Sequence, residues 1–154
     1  MRESAGLLLY RVRDGVTQVL LVHPGGPFWA RRDEGAWTIP KGEFVAPETA
    51  FDAARREFRE ETGADVDVTA CMPLRSVRQA GGKRIHAFAV RGDFDAARLA
   101  SNRFAMEWPP RSGRMQSFPE VDRAVWFTLD EAARRMNPAQ RVWLADIAAL
   151  VGDS

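Results

Sequence analysis

Apolar and polar residues follow two different periods along this chain. Ala5 to Arg13 alternates and ends at Asp14-Gly15, a turn dipeptide. Val16 to His23 is a second β-rich run, so the two predict an N-terminal hairpin. Pro24-Gly25-Gly26-Pro27 breaks the chain, and Phe28 to Ala36 reads as a loop. Trp37-Thr38-Ile39 predicts a short strand halted by Pro40, and Lys41-Gly42 opens a further loop. The period then lengthens. Pro47 to Thr62 predicts a helix, with Pro47 in its first turn, Glu48 at its positive end and Gly63 as its C-terminal cap. Strands are expected at 65–71, 74–79, 83–90 and 124–128. Residues 92–116 read as irregular, with a short helix at 95–101. Helices are expected at 130–136 and 138–151. This mixture predicts an α/β protein, a sandwich with helices on both faces of a mixed sheet.

The helix at 47–62 carries the most informative pattern. On a wheel of about 100° per residue, Ala50, Phe51, Ala54 and Phe58 share one arc, the core stripe. Glu57, Glu60 and Glu61 stand at i, i+3 and i+4 on the adjacent arc. Ala53 lies on that arc one turn earlier and leaves it room. Like charges at this spacing destabilise a helix by a few tenths of a kcal/mol per pair. Acids are also disfavoured near a helix C-terminus. A sequence that is locally wrong for stability in two ways points to function. A hard divalent cation resolves the conflict, because Mg²⁺ and Mn²⁺ take carboxylate oxygens. The competing reading is a solvated charged face with Arg56 paired to Glu60.

The surrounding residues decide between them. Gly42 is followed after five residues by Glu48 and after seven more by Arg56-Glu57. Phe58, Arg59, Glu60-Glu61, Thr62 and Gly63-Ala64 complete a 23-residue frame. This frame resembles the Nudix box of the Nudix hydrolases at every defined position, Ala64 being a weak version of the bulky last residue. The flanks are similar too: a starting hairpin, Trp37 to Gly42 leading in, and Val125-Trp126-Phe127 with a following helix.

The resemblance implies a Nudix-like α/β/α sandwich with a loop–helix–loop motif. It implies hydrolysis of a nucleoside diphosphate linked to another group, with two to three Mg²⁺ or Mn²⁺ ions when substrate is bound. Glu57, Glu60 and Glu61 are the implied metal ligands, Gly42 the implied carbonyl ligand, Arg56 the residue that holds the carboxylates, and Glu48 a structural acid. The family also places an acid before the late Trp-containing strand. Glu120 matches, as a metal ligand or general base, against the plainer reading of a surface turn acid. Which of Glu57, Glu61 and Glu120 takes the proton of the attacking water stays open. Hydroxide forms more readily at alkaline pH, which favours a rate rising in that direction.

Substrate signals outside the box are weaker. Lys41, Lys83, Arg84, Arg111 and Arg114 are candidate phosphate contacts. Tyr10, Phe28, Trp29 and Trp108 are candidate stacking planes, and 107–114 reads as a substrate-facing loop. His86 sits in an alternating strand with no role assigned. The lead-in Trp-x-x-Pro-Lys-Gly is similar to that of members acting on dinucleoside polyphosphates; a (d)NTP is the other candidate. A catalytically silent Nudix-fold domain that binds a nucleotide is the alternative function, and the complete set of three acids weighs against it. An isomerase on the same fold would want a dedicated cysteine.

Composition bounds these readings. The 154 residues suit one domain, expected to span 1–154. The charge of +1, from 22 basic and 21 acidic residues, gives no support to general nucleic-acid binding. Only two of the basic residues, Lys41 and Lys83, are lysines. A single cysteine, Cys71, excludes an intramolecular disulfide and a thiolate zinc site. No apolar run approaches the ~20 residues of a membrane span, and Met1 to Tyr10 does not read as a signal peptide. A cytoplasmic location and a small-molecule nucleotide partner are the matching expectations, while the choice between a monomer and a homodimer stays open.

Overall fold

The computed structural model of the chain describes residues 2–152. Strand β1 (Glu3–Arg13) runs through the middle of the main sheet. It pairs antiparallel with β2 (Val16–Pro24) across the Asp14-Gly15 turn and antiparallel with β3 (Lys41–Phe44). The helix α1 (Ala50–Thr62) follows. β4 (Met72–Pro73) and β5 (Val77–Arg78) both pair antiparallel with β6 (Arg84–Arg91), which lies parallel to β1. β7 (Arg103–Glu107) and β8 (Met115–Pro119) form a separate hairpin. β9 (Val121–Thr128) closes the main sheet against β2, and α2 (Leu129–Arg135) and α3 (Val142–Gly152) end the described chain.

The alternation of β1 explains the layers. Ala5, Leu7 and Leu9 face α1 and pack with Leu20, Val22, Ala54 and Phe58. Leu8 faces the other way, into a core with Leu21, Ile39, Trp143 and Ile147. Helices therefore cover both faces of a mixed sheet, as the sequence pattern predicts.

Several boundaries differ from that pattern, each for a physical reason. α1 starts at Ala50, not Pro47, because the Thr49 hydroxyl accepts the Asp52 N–H at 3.1 Å and caps the helix there. The left-handed Gly63 ends it as expected, at φ 81°. Lys41-Gly42 is strand, not loop, since β3 adds to the β1 edge. Residues 65–71 form no strand: Ala64, Val66, Val68 and Cys71 pack against the α1-side core without a ladder partner. Their alternation reports burial alone. The run 74–79 gives way to two short pairings, β4 and β5. Trp37 and Thr38 make isolated bridges only. The helix expected at 95–101 is a single 3-10 turn, Ala96–Arg98, and the segment expected to be irregular contains the β7–β8 hairpin.

Candidate active site

The geometry of α1 sorts its glutamates by environment. Glu57 and Glu61 lie one turn apart, and both are buried. Glu120, at the junction of β8 and β9, is carried to them by backbone bonds: its N–H donates to Asn102 O at 2.8 Å, and its carbonyl accepts from Gly25 N–H at 2.9 Å. One carboxylate oxygen from each of Glu57, Glu61 and Glu120 lies within 4.8 Å of the others. Burial pushes the Glu61 carboxyl up to about 8, with Glu57 reinforcing it and the Lys41 ammonium and backbone N–H opposing it. Burial also raises Glu57, against the pull of Arg56, and raises Glu120 with help from Glu60. Each of the three is therefore reluctant to carry charge in this place without a cation.

Gly42 makes this proximity possible. It sits on β3 beneath α1, and a Cβ there would overlap the Glu57 carboxylate. Beside Glu57, Arg56 grips Glu48 in a two-pronged pair, Nε to Oε2 at 2.7 Å and Nη2 to Oε1 at 2.9 Å. Its Nη1 donates to Glu57 Oε1 at 2.9 Å and to Glu60 Oε2 at 3.1 Å. These acids hold the guanidinium firmly protonated. Glu48 lies before the helix, which frees it to reach back to Arg56. Glu60 is thus an arginine partner, and among the described residues the carboxylates that converge are those of Glu57, Glu61 and Glu120.

A cleft of about 290 Å³ opens beside the trio, lined by Lys41, Glu61, Lys83, Glu120, Trp29, Thr38, Gln79, Asn137 and Gln140 among others. The two lysines of the chain meet on this one surface. Burial lowers the Lys41 pKa, the charge of Lys83 lowers it further, and Glu61, Glu57 and Glu43 oppose the shift. Trp108, Arg111 and Arg114 sit instead at the β7–β8 tip, outside that lining; Trp108 meets Phe28 edge to face at 5.6 Å. Arg84 pairs beside Glu3, and His86 bonds Glu3 at 3.0 Å. Cys71 is half-buried, where burial raises its thiol pKa.

Sequence reasoning did not find the amide residues Gln79, Asn137 and Gln140, nor His23. His23 is wholly buried, with Nδ1 2.8 Å from Asp122 Oδ1 and Nε2 2.6 Å from the Arg32 carbonyl. It ties the loop that carries Trp29 to the start of β9. No local spacing marks these residues, because their partners are far away in the chain.

The trio fits a divalent cation. It offers only oxygen ligands, its members are partly desolvated, and Arg56 touches just one of them.

Residues 2–147 match the family described as the NUDIX domain. An RNA pyrophosphohydrolase of Halorhodospira halophila is 32% identical over 130 residues, covering 74% of this chain and 65% of that protein. An RNA pyrophosphohydrolase of Alkalilimnicola ehrlichii is 43% identical over 63 residues, 38% of this chain and 35% of its own length. The matches thus span from about a third to two thirds of these relatives. The C. elegans Ap4A hydrolase in a binary complex superposes with a TM-score of 0.63 over 100% of both chains at 19% identity, a likeness of fold.

Proposed function

The chain belongs to the NUDIX domain family, and from that premise we propose that it is a divalent-cation-dependent hydrolase. Its substrate is a nucleoside diphosphate linked through phosphate to a further group. The observation that carries the reading is the convergence of Glu57, Glu61 and Glu120 beside a cleft holding both lysines.

Glu57, Glu61 and Glu120 would hold Mg²⁺ or Mn²⁺, with Glu60 and the Gly42 carbonyl as the further ligands the family resemblance implies. A cation bound there would neutralise phosphate charge and make a water acidic enough to attack. Lys41 and Lys83 present ammonium groups to the phosphate oxygens. A cluster carboxylate accepts the water proton as its oxygen bonds to phosphorus. The P–O bond of the anhydride breaks, and the departing phosphate keeps the electron pair. Arg56 keeps Glu57 and Glu60 in place throughout. Catalysis of this kind is mostly positioning and electrostatics.

Two candidate substrate classes come from the names of similar proteins, RNA from the RNA pyrophosphohydrolases and a dinucleoside polyphosphate from the Ap4A hydrolase. A panel of diadenosine polyphosphates, ADP-ribose, NADH, oxidised dNTPs and 5′-triphosphorylated RNA with Mg²⁺ tests the reading. Turnover is expected on at least one compound, falling about 10²–10⁴-fold in Glu61→Gln. No turnover on any of them, or a Glu61→Gln variant as fast as the parent, overturns it.

A further inference from the structure

The ladder between β2 and β9 carries a bulge that brings a carboxylate to a buried ring. His23 pairs with Arg123 across the ladder and Pro24 pairs with Val121, so Asp122 is the extra residue between them. A bulge re-aims a side chain, and here the Asp122 carboxylate stands 2.8 Å from His23 Nδ1. The other ring nitrogen, Nε2, lies 2.6 Å from the Arg32 carbonyl oxygen. A backbone carbonyl only accepts a hydrogen bond, and so does an ionised carboxylate. A neutral imidazole has a single N–H and satisfies one of the two. Both bonds together require a proton on each nitrogen. The ring is wholly buried, so water offers neither nitrogen an alternative partner.

Other charged groups surround this pair. Arg123 Nε lies 3.7 Å from the same Asp122 oxygen, and its guanidinium is 5.1 Å from the Trp37 ring, which meets His23 edge to face at 5.2 Å. Trp37 Nε1 donates to Asp33 Oδ1 at 2.7 Å, and Asp33 pairs with Arg135. The Arg32 guanidinium lies over Trp29, 5.5 Å from its ring. Asp122 and Asp33 therefore favour a second proton on His23, while Arg32, Arg123 and Arg135 oppose it. Asp122 is in direct hydrogen-bond contact with the ring. The loop that His23 holds is tied at its ends elsewhere: the Gly25 N–H donates to the Glu120 carbonyl at 2.9 Å, and the Gly35 N–H to the Arg134 carbonyl at 3.3 Å. Between those ends the Arg32 carbonyl takes its bond from His23. Trp29 and Ala36, on either side of Arg32, line the cleft.

We propose that His23 is a positioning residue that works as the imidazolium: with a proton on each nitrogen it clamps the loop at 28–36, and with it the Trp29 side of the cleft, against β9. As pH rises and the ring gives up one proton, the remaining one stays on Nδ1, which faces the ionised carboxylate. Nε2 then turns a lone pair toward the Arg32 oxygen, which leaves two acceptors 2.6 Å apart and a carbonyl without its donor. That contact opens, and the loop loosens at Arg32 first. The clamp needs neither metal nor nucleotide, so it goes beyond the hydrolase reading and stands apart from it.

The test is an NMR titration of the ¹⁵N-labelled protein from pH 5 to 9, with no metal or nucleotide added. The chain has two histidines, and His86→Gln leaves His23 as the single imidazole, which assigns its ring signals. The His23 ring is expected to carry two N–H protons at the acid end and one at the alkaline end. The backbone amide signals of Trp29 and Asp33 should move with the same midpoint. Asp122→Asn keeps an oxygen acceptor for Nδ1 and removes the charge. It should lower the shared midpoint by about one pH unit or more. A ring with one proton at every pH, or with two at every pH, overturns the proposal. So do loop signals that ignore the ring, and so does an unchanged midpoint in Asp122→Asn. Because no substrate is present, failure here leaves the hydrolase reading untouched, and failure of the substrate panel leaves the clamp untouched.

Discussion

Two sets of glutamates at α1 meet opposite electrostatic conditions. In one set Glu48, just ahead of the helix, and Glu60 lie against Arg56, and their charge is met within the protein. In the other, Glu57 and Glu61 are buried and meet a third acid, Glu120. Burial raises Glu57, Glu61 and Glu120, whereas the Arg56 hydrogen bond lowers Glu48. Glu57 stands at the boundary, with one oxygen on the guanidinium and its carboxylate also in the trio. Chemical identity alone therefore does not set the state of a glutamate here: Glu57, Glu61 and Glu120 are the ones whose charge burial disfavours. Arg56 does the complementary work of spacing: it occupies the acids that would otherwise add further repulsion.

The largest break in this comparison should come from Gly42→Ala. Its methyl would collide with the Glu57 carboxylate and push it out of the trio. Turnover should fall about 10²-fold or more, as expected when a metal-holding group is displaced, while the fold survives on its two apolar cores. Steady-state kinetics beside a melting curve would check this. Wild-type turnover in Gly42→Ala would show that the close approach has no catalytic meaning.

Arg56→Met sharpens the same contrast from the other side. It frees Glu48, Glu57 and Glu60 together, so both stability and metal affinity should decline. The melting temperature is expected to fall by several degrees, with a smaller loss of turnover than in Gly42→Ala. An Arg56→Met variant that melts unchanged yet loses all activity would instead give the guanidinium a direct role on substrate.

The box helix was legible because its evidence is local. Thr49, Gly63 and the spacing of the glutamates all act within a few residues of one another. Even there, Pro47 drew the start of the helix too early, since the Thr49 cap outweighs it. The hairpin β7–β8 was not legible, because its strands are short, one face is exposed and the other only half-buried, and β8 does not alternate. The run at 65–71 failed in the opposite way: it alternates, yet no strand lies beside it. Glu120 was found only through the family resemblance. The bonded cluster of Thr38, Gln79 and Gln140 in the cleft was invisible because these residues come from three distant stretches of chain, and nothing in their neighbours announces the meeting.

The most direct measurement is calorimetric titration of the protein with Mg²⁺ and Mn²⁺ from pH 6 to 9, in buffers of different ionisation enthalpy. The Glu61 carboxyl, raised to about 8, holds its proton below that pH, and an entering cation must displace it. Binding should therefore release protons near pH 7, strengthen as pH rises, and release almost none above the Glu61 value. Glu61→Gln should reduce the proton release, leaving only what Glu57 and Glu120 contribute. Absence of any heat of binding with either ion, in the empty and the nucleotide-loaded protein alike, would contradict the account.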